Sequence, residues 1–137
     1  FIRESKFNIL EVVLLCMEVI LDSSFIISCI RERIDFLSQL QEQGFKAVVP
    51  REVLQEMKDL RKKNKTSHED RVAIDVAFQM IEKEKVKKMS LGSGKVDDYL
   101  IRLGKQGRHI ATLDRNIKNR VPNRVVIHRA QGRVGKE

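Results

Sequence analysis

Apolar positions along this chain fall into short blocks that alternate between two periods. Brief continuous apolar runs at 18–21, 45–49, 86–91, 110–113 and 124–127 stop at polar or turn-forming residues. That is how strands covered on both faces read. Between them the period lengthens to three and four. Ile27, Ile30, Ile34, Leu37 and Leu40 predict one helix ended by Gly44. Val53, Leu54, Met57 and Leu60 predict a second, with Pro50 near its start. Val72, Ala73, Val76, Ala77, Met80 and Ile81 predict a third, preceded by a capping box of Thr66 with Glu69 or Ser67 with Asp70. Segment 95–105, with Val96, Leu100 and Leu103 inward, predicts a fourth that Gly107 ends, and 115–120 predicts a turn or two. Arg61 to Lys65 reads as a basic loop, and Gly92-Ser93-Gly94 as a flexible break.

Short apolar strands alternating with amphipathic helices imply an α/β fold, a parallel sheet with helices on both faces and right-handed crossovers. A chain of 137 residues suits one such domain. Met17 opens the first recognisable element, so residues 1–16 read as an N-terminal extension of unknown role. Residues 17–130 then form the domain, and 131–137 a loose basic tail.

Composition narrows the function classes. A charged share of 34% beside a hydrophobic share of 42% describes a globular chain and excludes a disordered one. The net charge of +8 favours a polyanionic partner, without identifying it. Scarce aromatics and the absence of Trp argue against a base-stacking platform. Cys16 and Cys29 make neither a disulfide framework nor a zinc site, and both sit among apolar residues, as buried thiols in a reducing cytoplasm do. The richest apolar segment, 8–21, is interrupted by Glu11 and Glu18 and lacks a small-residue cleavage site. It is read as neither membrane span nor signal peptide. His68, His109 and His128 have no ligand-like spacing and read as surface or edge residues.

The chemistry lies in the acids. In an open parallel sheet, sites form beyond the carboxyl ends of strands. Asp22 follows Val19-Ile20-Leu21, and Asp114 follows Ala111-Thr112-Leu113. Asp97 and Asp98 open a helix after Gly94, and Glu56 lies on the helix after Pro50, with Glu52 and Asp59 as competitors nearby. Each also has an ordinary reading, as a helix cap, a first-turn acid or a solvated side chain. If they converge, their charges require protons or a cation, and hard oxygen donors suit Mg²⁺ or Mn²⁺. No Gly-rich phosphate loop is present, and Ser23 and Ser24 have no general base nearby in sequence.

Four stretches in order carry a resemblance: Val19-Ile20-Leu21-Asp22-Ser23-Ser24-Phe25-Ile26-Ile27, Val49-Pro50 through Val53-Leu54-Gln55-Glu56-Met57, Asp97-Asp98-Tyr99-Leu100-Ile101 and Ile110-Ala111-Thr112-Leu113-Asp114-Arg115-Asn116-Ile117-Lys118. Together they resemble PIN domains over most of the chain. The resemblance implies a three-layer α/β/α sandwich with a central parallel sheet, and Mg²⁺- or Mn²⁺-dependent cleavage of RNA. It assigns catalysis to Asp22, Glu56, Asp98 and Asp114, with metal held by Asp22, Asp98, Asp114 and Asp97. Asp98 is preferred because it directly precedes Tyr-Leu-Ile, with Asp97 assisting. Ser23, Ser24 and Thr112 are expected to orient carboxylates, although Ser24 stands where many members have Asn. Lys62, Lys63, Lys65, Arg115, Lys118 and Arg120 are the expected phosphate contacts. The implied protein is a cytoplasmic homodimer, either a toxin with an antitoxin partner or an RNA-processing nuclease with a ribosome-assembly partner. The run Asp114-Arg115-Asn116-Ile117-Lys118 leans toward the second. A non-catalytic RNA-binding scaffold and a structure-specific DNA nuclease are the alternatives.

Overall fold

A computed structural model describes residues 8–137 of the chain. The apolar runs become β1 (Glu18–Leu21), β2 (Lys46–Pro50), β3 (Lys87–Met89), β4 (His109–Ala111), β5 (Arg124–His128) and, beyond them, β6 (Arg133–Lys136). They form one sheet in the order β3-β2-β1-β4-β5-β6. The first five strands pair in parallel, and β6 runs antiparallel to β5. The chain fills the sheet outward from β1 to β3, then returns to the other side of β1 for β4. The strand order therefore switches between β1 and β4, and in open α/β sheets the carboxyl edge at such a switch is where ligands bind.

The helices are α1 (Ile9–Cys16), α2 (Ser23–Arg31), α3 (Phe36–Glu42), α4 (Arg51–Lys62), α5 (His68–Lys83), α6 (Val96–Lys105) and the short α7 (Arg115–Lys118). Side chains alternate across a strand, and β1 shows the consequence. Val19 and Leu21 join Phe25 and Ile26 of α2, Phe36 of α3, Met57 of α4 and Ile74 of α5 in one core. Ile20 turns to the other face, with Leu100 of α6, Ile110 of β4 and Ile117 of α7. The result is a three-layer α/β/α sandwich whose sheet is mostly parallel.

Two sequence readings are corrected. The single helix expected from Ile27 to Leu40 is two helices. Arg33 takes a left-handed conformation with φ of 58°, and Asp35 caps α3 by accepting the Ser38 N–H. The apolar spacing survives because Ile34 packs into the core across the break. Residues 131–137, read as a loose tail, instead supply β6. Val134 is buried, its N–H donates to Gln39 Oε1 at 2.8 Å, and its carbonyl accepts from Gln43 Nε2 at 2.8 Å. Gln39 of α3 and Gln43 at its C-terminal cap thus satisfy the outer side of an otherwise open edge strand.

Cys29 is buried, and its thiol is pushed up to about 12, by burial first and by Glu32 second. It is an inert packing residue. The Cys16 side chain lies outside the described residues. Among the histidines, His68 is exposed, while His109 and His128 stand half-buried at strand ends. Among the described residues, no helix is long and apolar enough to cross a membrane.

The tightest helix-to-loop approach lies at Gly104 of α6. A Cβ there would meet Val121 Cγ1 at 2.3 Å and Ile110 Cγ1 at 3.2 Å. Gly104→Ala should therefore destabilise by about 1–3 kcal/mol by overpacking, despite alanine's better helix propensity. Urea unfolding of the two proteins checks this.

Candidate active site

The carboxyl ends of β1 and β4 are locked side by side. Leu21 pairs with Ala111, and the Asp22 N–H donates to the Ala111 carbonyl at 2.9 Å. The chain then leaves the sheet on both strands, and the acids follow. Asp22 caps α2 by accepting the Ser23 N–H at 2.9 Å, and Asp114 caps α7 by accepting the Asn116 N–H at 2.9 Å. Capping and convergence are therefore not alternatives. The cap takes up Oδ1 of each carboxylate, and a carboxylate has lone pairs left for further partners.

Thr112 ties the two acids together from beneath. Its buried hydroxyl donates to Asp22 Oδ2 at 2.6 Å and accepts from the Asp114 N–H at 3.1 Å. The Ser24 hydroxyl accepts the Leu113 N–H at 3.1 Å and lies 3.5 Å from Thr112 Oγ1. The shorter Ser24 side chain thus supports the β4 loop, and Asp22 takes its hydroxyl bond from Thr112.

Helices α4 and α6 bring further acids. Asp22 is buried, and its carboxyl is raised above the ordinary range. Burial is the largest cause; the bonds from Thr112 and Ser23 oppose it, and the charges of Asp97 and Asp114 add to it. Glu56, on the exposed side of α4, is also raised, first by desolvation and then by Asp22 and Asp97, with a Ser23 hydrogen bond acting the other way. Asp22, Glu56, Asp97 and Asp114 are therefore one electrostatic cluster at the strand-order switch.

Of the paired acids on α6, Asp97 is the one whose charge reaches Asp22 and Glu56. Asp98 is exposed. The difference follows from helical phase. Asp97 shares its face with Ile101 and Gly104, both buried, while Asp98 shares its own with exposed Arg102 and Lys105. That phase was present in the sequence beside the motif that favoured Asp98. Glu52 does not compete with Glu56, because its carboxylate accepts the Leu91 and Gly92 N–H groups. Asp59 accepts from Gln55.

Among the described residues, no Lys or Arg forms an ion pair with the four clustered acids. Glu18 shows the contrast: at the opposite edge of the sheet it is buried and held by Lys87 at 2.7 Å and Arg108 at 2.9 Å. An all-oxygen, uncompensated donor set fits a hard divalent cation. Among the described residues, no three His, Cys, Asp or Glu side chains stand close enough to ligate one ion together.

The basic residues expected to meet phosphate fall into two groups. Lys62, Lys63 and Lys65 are exposed at the end of α4, and among the described residues none pairs with an acid. Their loop is pinned, since Arg71 donates to the Arg61 carbonyl at 3.1 Å and the Lys63 carbonyl at 2.8 Å. Arg115 and Arg120 are exposed and Lys118 half-buried, all within a few residues of Asp114.

No curated protein matches the chain in sequence. A family model described as a PIN-like domain matches residues 19–131, a span that begins within β1 and includes Asp22, Glu56, Asp97 and Asp114. With that match and this sheet order in hand, the chain belongs to the PIN-like domain family.

Proposed function

We propose that this protein is a divalent-metal-dependent endoribonuclease that hydrolyses RNA phosphodiesters at the cluster of Asp22, Glu56, Asp97 and Asp114. PIN-like domains are generally nucleases, and the observation that carries the reading here is the Thr112-linked Asp22–Asp114 pair with Asp97 and Glu56 facing it uncompensated. Asp98 is then a peripheral acid and not a metal ligand. A Mg²⁺ or Mn²⁺ ion held at such a cluster supplies positive charge that polarises a phosphate oxygen and favours ionisation of an attacking water. Asp22, fixed by Ser23 and Thr112, presents an oriented oxygen, and Asp114 does the same from the neighbouring strand. Glu56 is held above its ordinary range, closer to the operating pH of a group that takes and returns a proton. The basic residues at 62, 63, 65, 115, 118 and 120 contact phosphates without reading bases.

The direct test is incubation of total RNA with Mn²⁺ or with EDTA and mapping of new ends, with a matched DNA substrate alongside. New RNA ends in Mn²⁺ alone support the reading. Ends on DNA only would select the structure-specific DNA nuclease, and binding without cleavage would select the scaffold. The Asp-Arg-Asn-Ile-Lys run at 114–118 favours a role in RNA processing with a ribosome-assembly partner over that of a toxin with an antitoxin, and a cytoplasmic homodimer is the proposed working form.

Two further results are expected. Thr112→Val keeps the shape but leaves Asp22 Oδ2 without its donor and the Asp114 N–H without its acceptor. Cleavage should drop by roughly 10–100-fold, the usual scale for losing a group that orients a metal-binding side chain. Steady-state rates at saturating Mn²⁺ check it. RNA affinity should fall linearly with salt on logarithmic axes, and Lys62→Gln with Lys63→Gln should flatten that slope by about 0.7 for each phosphate no longer neutralised. Filter binding across a salt series measures both slopes.

A further inference from the structure

We propose that Glu52 is a positioning residue that sets the separation of Glu56 and Asp97. This rests on the nuclease reading of the same cluster. Glu52 lies in the first turn of α4, one helical turn before Glu56. Its two oxygens reach across to the loop that launches α6. Oε1 accepts the Leu91 N–H at 3.0 Å, and Oε2 accepts the Leu91 N–H at 3.1 Å and the Gly92 N–H at 3.2 Å. With both oxygens spent on backbone donors, Glu52 is a tie and not a further metal-binding acid.

The rest of the loop is held as closely. Arg51 Nη1 donates to Ser90 Oγ at 3.0 Å, and the Tyr99 hydroxyl donates to the Ser93 carbonyl. Gly92 and Gly94 adopt φ of 107° and 115°, which lets the backbone close over the Tyr99 ring. A Cβ on Gly92 would stand 3.1 Å from Tyr99 Oη, and one on Gly94 would stand 3.3 Å from Tyr99 Cε2. Arg102 covers the same ring at 5.2 Å. The break expected from Gly-Ser-Gly is thus a clamped connector, and three residues after Gly94 the chain delivers Asp97. Among the described residues, the side-chain hydrogen bonds that reach the connector from outside residues 90–99 come from Arg51 and Glu52, both on the helix that bears Glu56. Of these, only Glu52 grips backbone, with charge-assisted bonds to two successive N–H groups. Desolvation pushes its carboxyl up, but the backbone N–H groups of Leu91, of Glu52 itself and of Gly92, aided by Arg51, together hold it below the ordinary range.

The test compares Glu52→Ala and Glu52→Gln with the parent chain by hydrogen exchange at the Leu91 and Gly92 amides, Mn²⁺ affinity by calorimetry, and kcat and KM on a short RNA. In the Ala variant both amides should lose protection, Mn²⁺ affinity and kcat should each fall roughly 10-fold or more, and KM should stay within about three-fold. The Gln variant keeps one acceptor oxygen and should recover most of the loss in kcat. Wild-type Mn²⁺ affinity and kcat in an Ala variant whose amides exchange freely would overturn the proposal, as would a Gln variant no better than Ala. If the parent chain binds Mn²⁺ but cuts no RNA, the nuclease reading fails alone and Mn²⁺ affinity decides for Glu52. If the parent chain binds no Mn²⁺, both readings fall.

Discussion

Asp22→Asn is expected to cut RNA cleavage by more than about 100-fold while making the protein more stable at neutral pH. The two effects have one origin. Asp22 is buried, lacks a cationic partner among the described residues, and faces the charges of Asp97 and Asp114. Its carboxyl is raised in the folded protein, so folding favours the protonated form. The stability that protonated Asp22 contributes is complete below its unfolded value of 3.8 and is lost as pH rises through the raised folded value. At pH 7 the ionised carboxylate therefore costs stability, and a neutral amide removes that cost. The gain should be on the order of 1 kcal/mol at pH 7, the scale of relieving strain at a functional site, and should shrink toward acid pH, where Asp22 is itself protonated. Adding Mn²⁺ should reverse the ranking, because a bound ion stabilises only the form that holds it. Thermal unfolding at acidic and neutral pH, with and without Mn²⁺, measures all of this on the same two proteins. An amide variant that is active, or less stable at every pH, would remove Asp22 from the centre of the site.

The second large effect separates two adjacent carboxylates. Asp97→Asn should lower kcat by about 100-fold or more, whereas Asp98→Asn should stay within roughly three-fold. Both acids open α6, so the helix dipole and local propensity treat them alike. Only the phase differs: Asp97 looks toward Asp22 and Glu56, and Asp98 looks toward solvent with Arg102 and Lys105. Matching kinetics of the two variants, at one Mn²⁺ concentration and then across a titration, decides between them. Equal losses would mean that the motif and not the helical phase selects the third acid.

How far the sequence shows this site depends on the range of the interaction. Asp22 and Asp114 are legible because a buried strand followed by an acid is a local pattern, and the sheet brings the two ends together through β1–β4 pairing. Thr112 and Ser24 are expected to orient carboxylates; the Thr112 hydroxyl donates to Asp22, whereas the Ser24 hydroxyl accepts the Leu113 N–H. What local pattern misses is set by tertiary contact. The break at Arg33 costs backbone strain that the packing of Ile34 and the Asp35 cap offset, and the uninterrupted apolar spacing hides it. Strand β6 is four residues of mixed polarity, and it forms by pairing with β5 while Gln39 of α3 and its cap Gln43 meet Val134 on the outer side. Glu52 reads as a rival to Glu56, since nothing near it in sequence announces that Leu91 and Gly92 will arrive to claim its oxygens.

The most direct measurement is a Mn²⁺ titration followed by backbone amide NMR. A paramagnetic ion broadens only the signals near it. The account predicts that substoichiometric Mn²⁺ selectively erases the amides of Ser23, Glu56, Asp97 and Thr112, leaves Glu18 and Lys87 at the opposite sheet edge sharp, and loses this pattern in Asp22→Asn. Broadening that spreads evenly over surface acids, or that persists unchanged in the variant, would contradict a shared cation site.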